Sequence, residues 1–190
     1  MADMASLAKV ERCWRELAEV LDKPDEVITP VTYINSAADL KAFCGEHGGI
    51  VCTSTNAPTI LDWAFSRREK VLFFPDQHLG RWTGFKKGIP LDEMVVWDPD
   101  LEYGGLTPEQ IRKAKILLWK GHCSVHQMFQ PVHIDRWREK HPQGFVISHP
   151  ESMLEVCQKS DYVGSTEFIL NTITNAPPNT HWLVGTELNL

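Results

Sequence analysis

Apolar and polar positions along the chain follow two alternating patterns. From Met4 to about Val20 the apolar residues recur at helical spacing, which predicts an amphipathic helix. After it, short apolar runs each end in small polar residues that open a further helix. These runs are VITPVTY, GGIVCT and KVLFF in the first half and GFVIS, DYVG and HWLVG in the second. Repeats of strand, polar turn and helix predict a parallel α/β sandwich.

The same order of helices and strands fits residues 4–76 and residues 130–187, so we predict two related three-layer αβα domains with short parallel sheets. The proposed boundary lies in the GHC segment, giving domains at 1–122 and 123–190. Residues 83–115 interrupt the pattern and are expected to form a long inserted loop with a short helix from Thr107. The final GTELNL is expected to begin another helix, which predicts that the second domain is truncated at its C-terminus.

Polar residues stand where the predicted strands end. In open parallel sheets, ligands bind beyond the carboxyl ends of the strands. Several of these positions are also predicted helix N-termini, where free N–H groups favour anions. The sequence therefore predicts a small anionic ligand bound between α/β domains. For Ser36, Ser54, Ser165 and Thr166, simple helix capping remains an alternative. The strand-end residues are Tyr33, Asn35, Ser54, Asn56, His149, Glu151, Ser165, Thr166 and Glu187.

Composition narrows the classes of function. The 190 residues are 43% hydrophobic and 23% charged, and the net charge is −6. With no excess of basic residues the chain is not expected to bind nucleic acid. No apolar run approaches the length of a membrane span, and the N-terminus lacks the pattern of a secretory signal. Five widely spaced cysteines without a C-x-x-C motif argue against a disulfide framework and favour a reducing cytoplasm.

Two short stretches contain residues that could bind a metal or take part in catalysis. In WKGHCSVH, Cys123 could be a metal ligand, a nucleophile with His122 or His126 as its base, or an inert thiol. In the second stretch, His149 and Glu151 flank a proline at the start of a helix and could transfer protons to and from a small substrate. A histidine that ends a strand and a glutamate in a first helical turn are equally consistent with that pattern.

Seven motifs together resemble the quinolinate synthase family of bacterial NAD biosynthesis. They are VTYINS, CTSTNAP, FFPDQHLGRW, WKGHCSVHQMF, ISHPE, VGSTEFI and GTELNL, and they extend over essentially the whole chain. The resemblance implies three similar αβα domains around a pseudo-threefold axis. It also implies a central [4Fe–4S] cluster held by one cysteine from each domain. The family condenses iminoaspartate with dihydroxyacetone phosphate in the cytoplasm, with a functional link to L-aspartate oxidase.

The resemblance assigns roles residue by residue. Cys123 matches one of three cluster cysteines, and the open fourth iron would act as a Lewis acid. Tyr33, His149 and Glu151 match residues that bind substrate and move protons. Three groups match other substrate-binding positions: Asn35, Ser54, and the pair Ser165 and Thr166.

The resemblance also predicts that the chain is a fragment. The other two cluster cysteines are expected before Met1 and after Leu190, and most of the family's first domain has no counterpart here. Such a fragment is expected to be inactive alone. Two other readings stay open: a cluster-free α/β module that binds a small dicarboxylate or phosphate, and a thiol enzyme built on Cys123.

Overall fold

The strands form two parallel sheets in a computed structural model that describes residues 4–187. The chain divides between His122 and Cys123 into two compact units, and each unit contains one sheet. The predicted α/β class with parallel sheets and flanking helices is confirmed. The same order of three helices and three strands occurs in residues 4–76, apart from one extra short helix, and in residues 130–187.

The first unit has a five-stranded sheet in the order β2-β1-β3-β5-β4, and every neighbouring pair is parallel. Its strands are β1 (Ile28–Tyr33), β2 (Ile50–Cys52), β3 (Lys70–Phe74), β4 (Met94–Trp97) and β5 (Ile116–Trp119). Its helices are α1 (Leu7–Leu21), α2 (Pro24–Val27), α3 (Ala38–Glu46), α4 (Ala57–Arg67), α5 (Gln77–Lys86) and α6 (Pro108–Lys113).

Alternation along the central strand β3 builds a core on each face of this sheet. Leu72 and Phe74 belong to one buried cluster, which also contains residues of α1, α3 and α6. Val71 and Phe73 belong to a second buried cluster, which also contains residues of α4 and α5. Because successive side chains of a strand point to opposite faces, a strand covered on both faces is expected to be mainly apolar. This explains why the last four residues of β3, VLFF, form a continuous apolar run.

The second unit is smaller and has a three-stranded sheet in the order β7-β6-β8, again with parallel pairs. One cluster of its buried residues contains Ile134, Val146 and Val156, with half-buried side chains around it. The other buried apolar residues of this unit are Ile147, Leu154, Cys157 and Ile169. Its elements are α7 (Pro131–Lys140), β6 (Phe145–Ser148), α8 (Leu154–Lys159), β7 (Tyr162–Val163), α9 (Thr166–Thr174) and β8 (Trp182–Gly185).

The expectation of a long loop over residues 83–115 is wrong. This stretch contains the end of α5, the edge strand β4 and helix α6, and Trp97 of β4 is buried in the core. The short helix predicted from Thr107 is confirmed, with the Thr107 hydroxyl accepting from the Gln110 backbone N–H. Strand β5 was also missed, because its four apolar residues follow the misassigned segment directly.

The structure tests two of three smaller expectations about where helices begin. The first helix begins at Leu7, not at Met4. Ser36 does not cap α3: Ala37 holds that position, and the buried Ser36 hydroxyl has no hydrogen-bond partner among the described residues. The helix expected within GTELNL falls largely on residues 188–190, which lie outside the described residues.

Two helical glycines should respond oppositely to alanine. A Cβ at Gly80 of α5 would lie 2.7 Å from Leu118 and 2.9 Å from the Phe73 ring, both fully buried, whereas Gly45 of α3 has open space. We expect Gly45→Ala to stabilise the first unit by about 0.5–1 kcal/mol through helix propensity. Gly80→Ala should destabilise it by about 1–3 kcal/mol through overpacking. Urea unfolding measures both changes, and equal shifts would contradict the close approach of α5 to the sheet.

Candidate functional site

Three predicted binding residues of the first unit lie at the carboxyl ends of adjacent strands. Tyr33 ends β1 and is paired in register with Cys52, which ends β2. The Ile34 backbone N–H donates to the Cys52 carbonyl oxygen at 2.8 Å, so the two turns that follow these strands start side by side. Tyr33 is buried, Ser54 is half-buried and Asn35 is exposed. The structure therefore places Tyr33, Asn35 and Ser54 at one edge of the sheet.

The cap of α4 leaves Ser54 available for another role. Asn56 is the N-cap residue, and its side-chain oxygen accepts from the Thr53 N–H at 2.6 Å, while the Thr53 hydroxyl accepts from the Asn56 N–H. The capping alternative for Ser54 is therefore wrong, because Asn56 occupies the cap position.

A buried carboxylate and a buried histidine follow β3 at the same edge. Asp76 caps α5 by accepting from the Leu79 N–H at 2.7 Å, and it is fully buried. His78 lies in the first turn of α5. Burial, with a smaller contribution from the charges of Arg81 and His122, lowers the pKa of His78 to about 4. Asp76 and His78 both belong to the motif FFPDQHLGRW, for which the sequence alone predicted no role.

In the second unit, the end of β6 positions the predicted acid–base pair. His149 directly follows β6, and its backbone N–H donates to the Gly185 carbonyl oxygen of β8 at 3.0 Å. His149 is 3% exposed and Glu151 is 4% exposed, so both side chains are removed from water. Glu151 Oε2 lies 3.3 Å from His149 Nδ1. The structure thus brings these two predicted residues together, but Glu151 precedes α8 and does not lie in its first turn.

Backbone geometry selects the protonation state of His149. The Glu151 backbone N–H donates to His149 Nδ1 at 3.3 Å, so this nitrogen acts as an acceptor. Burial lowers the pKa of His149 to about 4, outweighing the neighbouring Glu151 carboxylate, which raises it. A neutral His149 with its proton on Nε2 satisfies both observations. The short Nδ1–Oε2 distance is therefore a contact and not an ion pair.

His126 completes this cluster from the segment before α7. Its ring stacks on the His149 ring with centroids 4.5 Å apart and an interplanar angle of 10°. His126 Nδ1 lies 3.1 Å from Glu151 Oε2, and His126 Nε2 lies 3.3 Å from the Thr186 hydroxyl. Sequence reasoning named His126 only as a base for Cys123. The C-x-x-H spacing was a signal that could have marked it as a metal ligand.

Cys123 lies next to the same cluster. One ligand atom each from Cys123, His126 and Glu151 lie within 4.8 Å of one another. Cys123 is half-buried, while His126 and Glu151 are buried. This arrangement combines a thiol, an imidazole and a carboxylate, which are the ligand types of transition-metal sites.

Ser165 and Thr166 lie at the start of α9, as predicted. The buried Ser165 caps the helix, and its hydroxyl accepts from the Phe168 N–H at 3.3 Å. The capping alternative is therefore confirmed for Ser165. Thr166 is the first helical residue and is half-buried, so its N–H is one of the free donors of the helix N-terminus.

The five cysteines differ in their capacity to bind a cluster. Cys13, Cys44, Cys52 and Cys157 are buried, and burial raises the pKa of Cys13 and of Cys44, the latter to about 12. The Cys157 thiol faces the backbone carbonyl oxygens of His149 and Ser152. Cys123 alone of the five is half-buried. The residues present therefore fit one thiolate corner of an iron–sulfur cluster and do not supply three.

The helices within residues 4–187 include none with the length and hydropathy that a membrane crossing requires.

Comparison with known proteins identifies the family. The sequence model of the NadA family, described as "Quinolinate synthetase A protein", matches residues 1–190. The chain belongs to this family. The quinolinate synthase of Herpetosiphon aurantiacus is 57% identical over 191 residues, that of Rhodopirellula baltica 56%, and that of Bacillus cereus (strain AH187) 48% over 193 residues.

Each of these quinolinate synthases is longer than the chain. All of the chain is matched, yet it covers 51% of the Herpetosiphon protein, 48% of the Rhodopirellula protein and 50% of the Bacillus protein. The chain therefore spans about half the length of the curated NadA relatives that it matches.

The low pKa of His78 predicts a pH dependence of stability in this NadA chain. The unfolded chain binds a proton near pH 6.5 but folded His78 only near pH 4. The unfolded state therefore holds more protons in this window, and stability should fall as the pH drops through it. The contribution is at most about 3.4 kcal/mol. Urea unfolding of the first unit from pH 7 to pH 4 should show a shallower decline for His78→Gln. As a control, His133→Gln replaces an exposed histidine of the second unit and should leave the slope for the first unit unchanged. An unchanged slope in His78→Gln would contradict the assignment.

Proposed function

We propose that the chain is part of a quinolinate synthase that condenses iminoaspartate with dihydroxyacetone phosphate in cytoplasmic NAD biosynthesis. Iminoaspartate would come from an L-aspartate oxidase. The observation that carries the proposal is the cluster of Cys123, His126, His149 and Glu151 in a chain of the quinolinate synthetase A family. We also propose that the two units, divided after His122, correspond to two of three similar domains.

Cys123 would hold one corner of a [4Fe–4S] cluster, with two further thiolates from parts of the protein outside these 190 residues. Such a cluster, held by three thiolates, supplies an open iron as a Lewis acid for substrate oxygen. Cys123 suits this role because it is half-buried beside a carboxylate and an imidazole, whereas the other four cysteines are buried.

His149 and Glu151 would move protons during the dehydrations and ring closure. Neutral His149 carries its proton on Nε2, where it can donate to a leaving hydroxyl. Glu151 has an oxygen, Oε1, that is buried and lacks a hydrogen-bond partner among the described residues. A carboxylate oxygen without a hydrogen-bond partner is available to exchange a proton with the substrate. Tyr33, which belongs to the first unit, would also take part in proton transfer.

The helix N-termini and strand ends would bind the anionic groups of both substrates. Thr166 offers a hydroxyl and a free backbone N–H at the N-terminus of α9, where the helix dipole favours negative charge. Ser165 would contribute alongside it, although its hydroxyl already caps the helix. Asn35 and Ser54 would serve the same purpose at the carboxyl edge of the first sheet.

A chimera tests the proposal. The 190 residues replace the matching half of the Herpetosiphon aurantiacus quinolinate synthase, which aligns with the entire chain. After anaerobic reconstitution with iron and sulfide, the chimera should hold about one cluster and form quinolinate. Cys123→Ser should abolish both, with far-ultraviolet circular dichroism to check folding. A folded chimera that forms no cluster, or that keeps its cluster in Cys123→Ser, would overturn the proposal.

Glu151→Gln should impair chemistry more than binding. The substitution keeps the shape of the side chain and removes the base, so turnover of the chimera should fall roughly a hundredfold, as expected for loss of a general acid–base group. The Michaelis constants should change little. Glu155→Gln, an exposed carboxylate on the following helix, is the matched control. Near-normal turnover in Glu151→Gln would show that Glu151 has only a structural role.

Thr166→Val should weaken substrate binding by roughly tenfold or more, because a hydrogen bond to a charged group contributes about 1.5–3 kcal/mol. The control is Thr172→Val on the same helix, whose hydroxyl donates to the Phe168 carbonyl oxygen. Steady-state kinetics of the chimera with both substrates measure the effect. Unchanged Michaelis constants for both would show that α9 does not bind substrate.

A further inference from the structure

The first unit contains a pocket of about 390 Å³ at the amino end of β2. Gly48 and Gly49 precede this strand of three residues, whereas Ser54 of the candidate site follows it. At a rise of about 3.3 Å per residue, the strand separates the two places by roughly 10 Å. None of the lining residues belongs to the candidate site, so binding in this pocket does not depend on the proposed function. The pocket is lined by Gly48, Gly49, Trp63, Arg67 and Arg68.

Arg68 is fixed in position at the wall of this pocket. Its Nη1 donates to the backbone carbonyl oxygens of Ile28, at 2.6 Å, and His47, at 2.7 Å. Its Nη2 lies against Gly48, where a Cβ would come within 2.9 Å of it. Of the five N–H donors of a guanidinium, the two on Nη1 are therefore used. The three on Nε and Nη2 make no hydrogen bond within residues 4–187 and remain available to a ligand.

Trp63 and Arg67 lie one turn apart on α4 and provide two flat surfaces beside Arg68. The Arg67 guanidinium carbon is 5.1 Å from the centroid of the Trp63 ring, which is a cation–π contact. Trp63 is half-buried and Arg67 is exposed. An indole ring and a guanidinium both stack well on planar groups, so this pair favours a ligand that contains an aromatic ring.

The two positive charges of this pocket have no carboxylate partner in the described part of the chain, where neither Arg67 nor Arg68 forms an ion pair. The groups that Arg68 contacts are neutral carbonyls. Basic residues nearby are paired: Lys87 lies 2.5 Å from Asp62, and Lys70 lies 3.8 Å from Glu69. Because a guanidinium binds carboxylate and phosphate through paired N–H groups, the two arginines favour an anionic ligand.

We propose that the pocket binds a small planar anion, namely an aromatic ring that carries a carboxylate or a phosphate group. The charged group would accept from the three remaining N–H groups of Arg68, and the ring would stack on the pair of Trp63 and Arg67. The volume of about 390 Å³ falls within the range of roughly 300–1,000 Å³ that is typical of small-molecule sites. Aromatic carboxylates and nucleoside monophosphates share this chemistry.

Isothermal titration calorimetry of the 190-residue chain tests the site with two pairs of ligands. Phthalate, a planar aromatic dicarboxylate, should bind several-fold more tightly than hexahydrophthalate, which carries the same charges on a saturated ring. AMP should bind tighter than adenosine, which lacks the phosphate, by roughly tenfold or more. Binding of phthalate, of AMP or of both would support the site and show which charged group it takes, whereas binding of neither would overturn it.

Two substitutions locate the bound ligand, with far-ultraviolet circular dichroism to check folding. Arg67→Gln removes an exposed charge and should weaken binding roughly tenfold. Arg68→Lys keeps the charge but loses the fixed fork of donors, so binding should again weaken roughly tenfold. The matched control is Lys86→Gln on α5, because Lys86 lies 5.7 Å from the centroid of the Trp82 ring in a similar cation–π contact outside the pocket. The control should leave binding unchanged.

A further measurement uses the native chain and does not depend on the variants. Phenylglyoxal modifies arginine side chains, and mass spectrometry locates the modified residues. The ligand that binds in calorimetry should slow modification of Arg67 several-fold and should not affect Arg15, an exposed arginine of α1. Equal affinities within the ligand pair that binds, binding unaffected by Arg67→Gln, or an unchanged rate of Arg67 modification would each overturn the proposed site.

Discussion

Parallel pairing of the strands is the constraint on which the candidate site depends. In a parallel sheet every strand ends at the same edge, so residues far apart in sequence become neighbours wherever two strands are in register. Ser148 of β6 pairs with Gly185 of β8, and this pairing places His149 and Thr186 at the start of adjacent turns. The His149 N–H bond to the Gly185 carbonyl oxygen extends the ladder by one step. His149 and Thr186 then reach the His126 ring from two sides, one by stacking and one by a hydrogen bond.

The second constraint is the cost of burying Glu151. Its neighbours are His149, whose Nδ1 is already an acceptor, and His126, whose Nδ1 lies close without a well-formed hydrogen bond. Neither imidazole fully compensates the carboxylate. A protein tolerates such a group where a proton, a substrate or a metal ion satisfies it, so an incompletely satisfied buried group points to a functional site. The proposed proton-transfer role follows from this incompletely satisfied carboxylate.

The two units differ in the extent of the buried apolar clusters that pack against their sheets. The first unit has large buried clusters on both faces of its sheet, whereas the buried cluster of the second unit contains three residues with half-buried neighbours, and its other buried apolar residues lie outside that cluster. Beside that small core lies a groove of about 270 Å³, lined by residues that include Phe129, Ile134 and Val184. Several large apolar side chains of this unit are also exposed, among them Met128 and Leu170. Cys123 and the proposed acid–base residues His149 and Glu151 thus belong to the less extensively packed unit.

The periodicity of the sequence determined most of the fold, because strands covered on both faces are mainly apolar and polar turns mark their carboxyl ends. It failed over residues 83–115, where β4 lies at the sheet edge and has only four residues, too few to show a period. The motifs identified Cys123, His149 and Glu151 as candidates, since histidine, cysteine and carboxylate are chemically distinctive wherever they occur. Only the tertiary structure decided that His126 joins them, that the Glu151 backbone makes His149 an acceptor, and that Asn56 rather than Ser54 occupies the N-cap position of α4. These facts depend on the register of β6 with β8 and on the path of single turns, which residue types and local spacing do not specify.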